Sequence, residues 1–308
     1  MKLIKIFFTL LFLSLFLTAL NVNPYIDAKS KSTPITKSNY TTDFFWENLL
    51  HFQIYQDEHL LLGNPTSANN NKTNTNNYLI VKHQYALSYN NDKGYPNWVS
   101  WHLDLSWKGN AKRCNCFSSE KTLPNGFFKA SSNSYAKSGF DRGHLCPSED
   151  RDATAEDNAA TFTMSNMIPQ SPNLNRITWV ALEKYCQDLL TQDYELYIIA
   201  GTYGIGGEGN KGYAEHIDHG KITVPAHCWK IIVLLKNGDN DLQRINSNTK
   251  VIAVDMPNNN SVKSFPWEQY RTTIDDIEQK THYDFLSNVP ASIQNVIEKN
   301  MADLPSKH

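Results

Sequence analysis

No apolar run in this chain reaches the roughly 20 residues that a membrane-spanning helix needs. The run Ile6–Leu20 falls short, and it follows Lys2 and Lys5. A charged start before a short apolar core is the pattern of a secretory signal peptide, with cleavage expected near Ala19 or Ala28. No cysteine stands near either position to carry a lipid anchor. Charge of one sign is also scarce: 29 Lys and Arg face 31 Asp and Glu, for a net −2. Residues 1–20 hold two lysines and no acid, so the mature chain carries −4. Such a balance excludes global electrostatic steering toward nucleic acid. The five cysteines form no CxxC pair and no Cys/His zinc spacing, which argues against a structural zinc site. Five is odd, so at least one stays unpaired within a chain. Cys114 and Cys116 stand too close for an easy mutual bridge, and Cys186 reads as a helix core residue. There is no internal repeat and no regular βαβ alternation, so one α+β domain is expected.

A polar leader rich in Ser, Thr, Lys and Asn occupies 21–45, a single domain is expected over 46–300, and 301–308 is a polar tail. An Asn-rich loop at 67–77 precedes a strand expected over 78–89. Alternation over 98–107 predicts another strand. Further strands are expected at 161–168, 196–202, 222–235 with a bend at Pro225, and 251–256. The clearest helix covers 172–190. Ser171-Pro172 suits its start, and Trp179, Leu182, Cys186 and Leu189 form its apolar stripe. Helices are also expected at 267–279 and 291–300. Between Lys108 and Arg151 the balance reverses locally, with eight cations against four acids. Aromatics are interleaved there, from Phe117 to Phe140, and such a stretch can bind phosphates and stack bases.

The chemistry concentrates in Asp141-Arg142-Gly143-His144, with Asn175 and Glu183 following on the 172–190 helix. Breaking a phosphodiester needs an activated water, positive charge on the phosphoryl oxygens and help for the leaving oxygen. His144 can take a proton near neutral pH. The carbonyl of Asn175 suits Mg²⁺, which keeps most of its waters and accepts one or two protein oxygens. On an ideal α-helix Glu183 lies about 12 Å along the axis from Asn175 and roughly 80° around it. Its role is therefore to hold the metal's waters rather than the metal. No pair of inward carboxylates of the kind a two-metal centre needs is visible, and Asp150 and Asp152 read as solvated loop residues. Singly, each residue has a bland reading: a loop histidine, a helix cap, a solvent-facing glutamate. The joint pattern carries the case. His216-Ile217-Asp218-His219 lacks helical metal spacing, and His102 reads as structural.

The stretch 140–148, FDRGHLCPS, resembles the DRGH signature of the DNA/RNA non-specific endonucleases, in the ββα-metal (His-Me finger) superfamily. Ser165–Gln170 resembles that family's next motif, and Leu174-Asn175 through Trp179 to Glu183 resembles its metal helix. Further similarities include Gly63-Asn64-Pro65, residues 97–103, 200–204 and 224–230; together they span roughly 59–290. The resemblance implies a central antiparallel sheet with flanking helices. It implies His144 as general base, Asn175 as ligand of a single Mg²⁺ for which Mn²⁺ can substitute, and Glu183 as the residue ordering the metal's waters. It further implies Arg142 and Arg113 as catalytic, phosphate-contacting arginines, and Asn166 and Gln170 as polar residues at the substrate. The expected substrates are DNA and RNA, cut to 5′-phosphate ends by a secreted enzyme with no stable membrane association. Three departures stand out. Gln187 occupies a place where the family often has arginine, for which Arg176 or Lys184 is a candidate substitute. Cys146 replaces a common alanine, and His282 a common glycine. Two rivals remain: a phosphodiesterase of the same fold acting on small diesters, and a non-catalytic nucleic-acid-binding protein.

Overall fold

The computed structural model describes residues 58–305. The expected signal peptide and polar leader, and the last three residues of the tail, lie outside the described residues. Seven strands build one antiparallel sheet. In chain order the strands are β1 (Tyr78–Val81), β2 (Ala86–Asn90), β3 (Tyr95–Leu103), β4 (Asp141–His144), β5 (Met167–Gln170) and β6 (Tyr194–Tyr203). The short β7 (Gly207–Gly209), β8 (Gly212–Ala214), β9 (His216–Ile217) and β10 (Ile222–Thr223) follow, then β11 (His227–Lys236), β12 (Lys250–Pro257) and β13 (Arg271–Thr272). The large sheet runs β1-β2-β3-β6-β11-β12-β13, and β4-β5, β7-β8 and β9-β10 are separate hairpin-like pairs. The helices are α1 (Ala155–Thr161), α2 (Val180–Leu190), α3 (Asp241–Arg244), α4 (Ile274–Thr281) and α5 (Ala291–Ile297).

Strand β11 explains why the sheet is covered on both faces. Side chains alternate across a strand. Cys228, Ile232 and Leu234 enter one core with Trp101, Trp179 and Leu182. Trp229, Ile231 and Val233 enter the other with Ile274, Ile277 and Phe285. A strand buried on both faces reads as a continuous apolar run, and within that run Lys230 interrupts the first parity. Close packing at the sheet centre requires Gly201. A Cβ there would lie 2.4 Å from the Asn97 carbonyl oxygen and 2.5 Å from the Trp229 ring.

Several boundaries differ from expectation. The strand expected at 78–89 is a hairpin, β1 and β2, turned at 82–85 where the Lys82 N–H donates to the Tyr85 carbonyl. The bend at Pro225 is present and separates β10 from β11. The strand expected at 161–168 is instead the end of α1, a 3₁₀ turn, and β5. The helix expected from 267 begins at Ile274, because Arg271 and Thr272 pair with Val254 and Ala253 as β13. Thr273 then caps α4 by accepting from the Asp276 N–H.

Candidate active site

Strands β4 and β5 pair antiparallel, with Asp141 opposite Gln170 and His144 opposite Met167. The chain then enters a helix whose first part, Leu174–Trp179, is a π-helix continuing into α2. Hairpin and helix together make a ββα unit against the large sheet. A π turn is wider than an α turn and is frequent at functional sites. It rotates Asn175 toward the face of Glu183 relative to the ideal α geometry.

Each site residue has a distinct setting. His144 is buried, edge-on to the Phe162 ring at 4.8 Å, and its Nε2 has no hydrogen-bond partner. Burial, then the charges of Arg113 and Arg142, lower its pKa to about 3, so the imidazole is neutral at neutral pH. Arg142 lies over the Phe117 ring at 4.1 Å, and its guanidinium donates to the Ser132 carbonyl at 3.4 Å. Arg113 is exposed, donates to Ser148 Oγ at 2.7 Å, and lies over Phe162 at 4.9 Å. Beside these arginines opens a cavity lined by Asn115, Cys116, Phe117, Ser132 and Arg142.

Asn175 donates its amide N–H to Asp141 Oδ2 at 2.9 Å. That leaves its carbonyl oxygen as the group able to take a cation. The buried His144 nitrogen without a partner calls for water or ligand at the same unit. Together these two observations fit one hard, largely hydrated ion such as Mg²⁺. Among the described residues, the His/Cys/Asp/Glu groups close enough to share an ion are His102/Glu195/Asp241 and Asp275/Glu278/Glu298. Neither includes a residue of the hairpin or its helix. His216-Ile217-Asp218-His219 forms no such group either.

Glu183 projects beneath this unit, 3.7 Å from Lys230 Nζ. Burial raises its pKa to about 7; Lys230 opposes that rise, while Asp150 and Glu149 add to it. Lys230 is 1% exposed and sits between rings, 4.5 Å from Trp179 and 5.5 Å from Trp101. Sequence reasoning passed over Lys230. Its signal was a lone cation inside the apolar run of β11.

Five expectations need correction. Asn166 does not face a substrate. It is fully buried, donating to the Cys146 and Thr161 carbonyls and accepting from the Cys146 N–H at 3.0 Å. It braces the chain just after His144. Gln170 is also fully buried, beneath Gly143. Asp150 is not solvated: it is 1% exposed and accepts from Trp101 Nε1 at 3.0 Å and Gln187 Nε2 at 3.1 Å. Cys114 and Cys116 are bridged after all, at a Cα separation of 5.1 Å. Asn115 between them takes a left-handed φ of 50°, which folds the two side chains together. Cys146, Cys186 and Cys228 are free and buried. Arg176, a candidate for the missing arginine, forks onto Asp141 at 2.6 and 2.8 Å instead.

Comparison with known proteins agrees with this geometry. A family model described as DNA/RNA non-specific endonuclease matches residues 62–292. A protein named nuclease from Nostoc sp. (strain PCC 7120 / SAG 25.82 / UTEX 2576) is 50% identical over 243 residues, covering 79% of this chain and 85% of the relative. The mitochondrial nuclease EXOG of Danio rerio is 31% identical over 164 residues, which cover 51% of this chain and 47% of that protein. The chain thus spans about half the length of that relative. Among solved structures, the crystal structure of the EndoG/EndoGI complex superposes with a TM-score of 0.61 at 23% identity, covering 75% of this chain and 90% of that one. That likeness is one of fold. The hairpin, its helix and the family match over three quarters of the sequence lead to one conclusion: this chain belongs to the DNA/RNA non-specific endonuclease family.

Proposed function

We propose that this protein is a secreted, Mg²⁺-dependent endonuclease that hydrolyses phosphodiester bonds in both DNA and RNA and leaves 5′-phosphate ends. The observation that carries the reading is a neutral, buried imidazole with a free Nε2, His144, on the same ββα unit as the available carbonyl of Asn175. His144 accepts a proton from the attacking water at Nε2. Arg142 and Arg113 keep guanidinium N–H groups free for the phosphate, and the rings beneath them fix their planes. Asn175 would hold the ion through its carbonyl oxygen, and Glu183 would order its waters. When bound, Mg²⁺ supplies charge neutralisation at the phosphate and the departing 3′ oxygen, and Mn²⁺ is expected to substitute. Asp141 accepts from the Asn175 amide N–H and so leaves the carbonyl oxygen as the atom that would bind the ion. Contacts of this kind read the backbone rather than the bases, so cleavage of both polymers with little sequence preference follows. The signal-peptide pattern at the start supports secretion.

The test is cleavage of supercoiled plasmid and of RNA by the mature protein, with Mg²⁺ and then with excess EDTA, beside His144→Ala. Both polymers should be cut, EDTA should abolish cutting, and His144→Ala should lose on the order of 10²–10⁴-fold with an unchanged circular dichroism spectrum. Cleavage of a small diester alone would sink the polymer reading.

A further inference from the structure

Two carboxylate clusters lie away from the nuclease centre, and they differ in how their charge is met. At the first, the Arg244 guanidinium contacts both Glu195 and Asp241, and His102 holds a proton with its pKa raised to about 9. The protein supplies its own cations there. At the second, Asp275 and Glu278 on α4 meet Glu298, which caps the end of α5. One ligand oxygen from each lies within 4.8 Å of the others. At Glu298 the cation that acts is Lys299, and burial together with the neighbouring acids outweighs it.

Glu298 is the decisive member. It is 6% exposed, and its Oε1 has no hydrogen-bond partner. Burial first, then Glu278, Asp275 and Asp284, push its pKa up to about 8. Glu278 is raised as well, again chiefly by burial. A buried carboxylate aimed at two others needs either a proton or a cation. The backbone is meanwhile fixed around it: the Asp275 N–H donates to the Glu298 carbonyl at 3.2 Å, and Glu278 Oε1 accepts from the Phe285 N–H at 2.7 Å. The three acids are therefore held in place by the fold.

Size and ligand type select the cation. An all-oxygen carboxylate set suits a hard ion. Calcium takes about six to eight oxygens in a flexible shell, whereas magnesium demands octahedral order, gives up its waters reluctantly and is usually held by about one or two carboxylates. Three carboxylates whose ligand oxygens all lie within 4.8 Å of one another match the larger ion. We propose that Asp275, Glu278 and Glu298 bind one calcium ion that ties α4 to the end of α5. Ile274, Ile277 and Ile297 anchor these helices in the core on the face of the sheet opposite Trp179 and Leu182. The ion is thus structural and independent of the nuclease reaction.

The experiment is thermal unfolding and calorimetric titration of the EDTA-stripped, desalted mature protein with CaCl₂. Wild type, Asn175→Ala, Glu298→Gln and Asp275→Asn are compared. Wild type and Asn175→Ala should both gain about 3 °C in Tm at calcium near ten times its Kd. Glu298→Gln should lose that gain, keep plasmid cleavage, and melt without calcium at or above wild type, because one repulsive charge is gone. Asp275→Asn should weaken calcium binding at least tenfold. An equal gain in wild type and Glu298→Gln would overturn the assignment. So would an equal response to MgCl₂ through the same residues, or a Tm that ignores calcium and rises only as pH falls through about 8, which would mean a proton holds Glu298.

Discussion

At the scale of single residues, the exchange of an arginine for Gln187 has a structural explanation. Gln187 points at buried Asp150, where it shares the carboxylate with Trp101. Burial raises the Asp150 pKa, and the Gln187 and Trp101 donors oppose that rise. Gln187→Ala should then behave as a stability mutation, costing about 1–3 kcal/mol by leaving Asp150 short of a donor. Chemical denaturation checks the cost, and KM for plasmid should not move. A raised KM at unchanged stability would instead place Gln187 at the phosphate. Lys230 makes a sharper prediction. It is the cation nearest Glu183 and restrains the rise that burial imposes on that carboxyl. Lys230→Met should raise the Glu183 pKa further, so the acid limb of the rate profile moves to higher pH. Activity at neutral pH should fall about 10–100-fold, the usual effect of losing a partner behind a metal site. His144 does not set that limb, since its own pKa is lowered to about 3.

Among the elements, the β4–β5 hairpin tolerates no side chain at Gly143. A Cβ there would lie 2.2 Å from Gln170 Oε1 and 2.7 Å from Gln170 Cβ. The second contact is to the stem of the side chain, so rotating Gln170 does not relieve it. Gly143→Ala should cost about 1–3 kcal/mol in a urea midpoint and reduce cleavage more than that loss accounts for, because Arg142 and His144 flank the displaced position. Much of this unit was legible in the sequence: Ser171-Pro172 marked the helix start and the apolar stripe its length. The π turn at Leu174–Trp179 was not legible, because it depends on distant partners. Asn258 accepts from the Ser171 N–H, and Asn260 from Asn173 and the Ser171 hydroxyl, across nearly ninety residues of chain. Asp150 was misread for the same reason, since its donors lie 49 residues before and 37 after it. Local pattern also read helix at Trp267, whereas β-pairing of Arg271 and Thr272 with β12 delays the start. Motif and periodicity were thus enough for the fold. Non-local hydrogen bonds decided which polar residues of the unit are enclosed, as Asn166 and Asp150 are.

Across the whole molecule, several shifted groups act on stability with the same sign as pH rises. His102 is lifted from its ordinary 6.5 to about 9: burial alone would lower it, but hydrogen bonds to Glu195 and Glu58 outweigh burial. Its contribution is complete below about 6.5 and is lost as pH rises through 9. Glu183 at about 7 and Glu298 at about 8 also keep protons in the fold that the unfolded chain has released. Rising pH therefore makes metal-free protein less stable through Glu183 from 4.5 to about 7, through Glu298 from 4.5 to about 8 and through His102 from 6.5 to about 9. On the acid side the sign reverses. His59 and His144, both lowered to about 3 chiefly by burial, take up protons only on unfolding as pH falls below 6.5. Glu120, held at about 2 by Lys82 against burial, contributes fully above 4.5 and loses that contribution as pH falls toward about 2. Tm in EDTA should consequently peak in the mildly acidic range and fall on both sides. His102→Gln isolates one component, because it keeps a donor toward Glu195 but no titrating proton. It should lower stability at pH 6 by on the order of 2–3 kcal/mol and flatten the decline between pH 6.5 and 9. Denaturant midpoints at pH 6 and pH 9 measure both effects. A variant that lost the same stability at both pH values would show that His102 acts by packing on Tyr197 and not by charge.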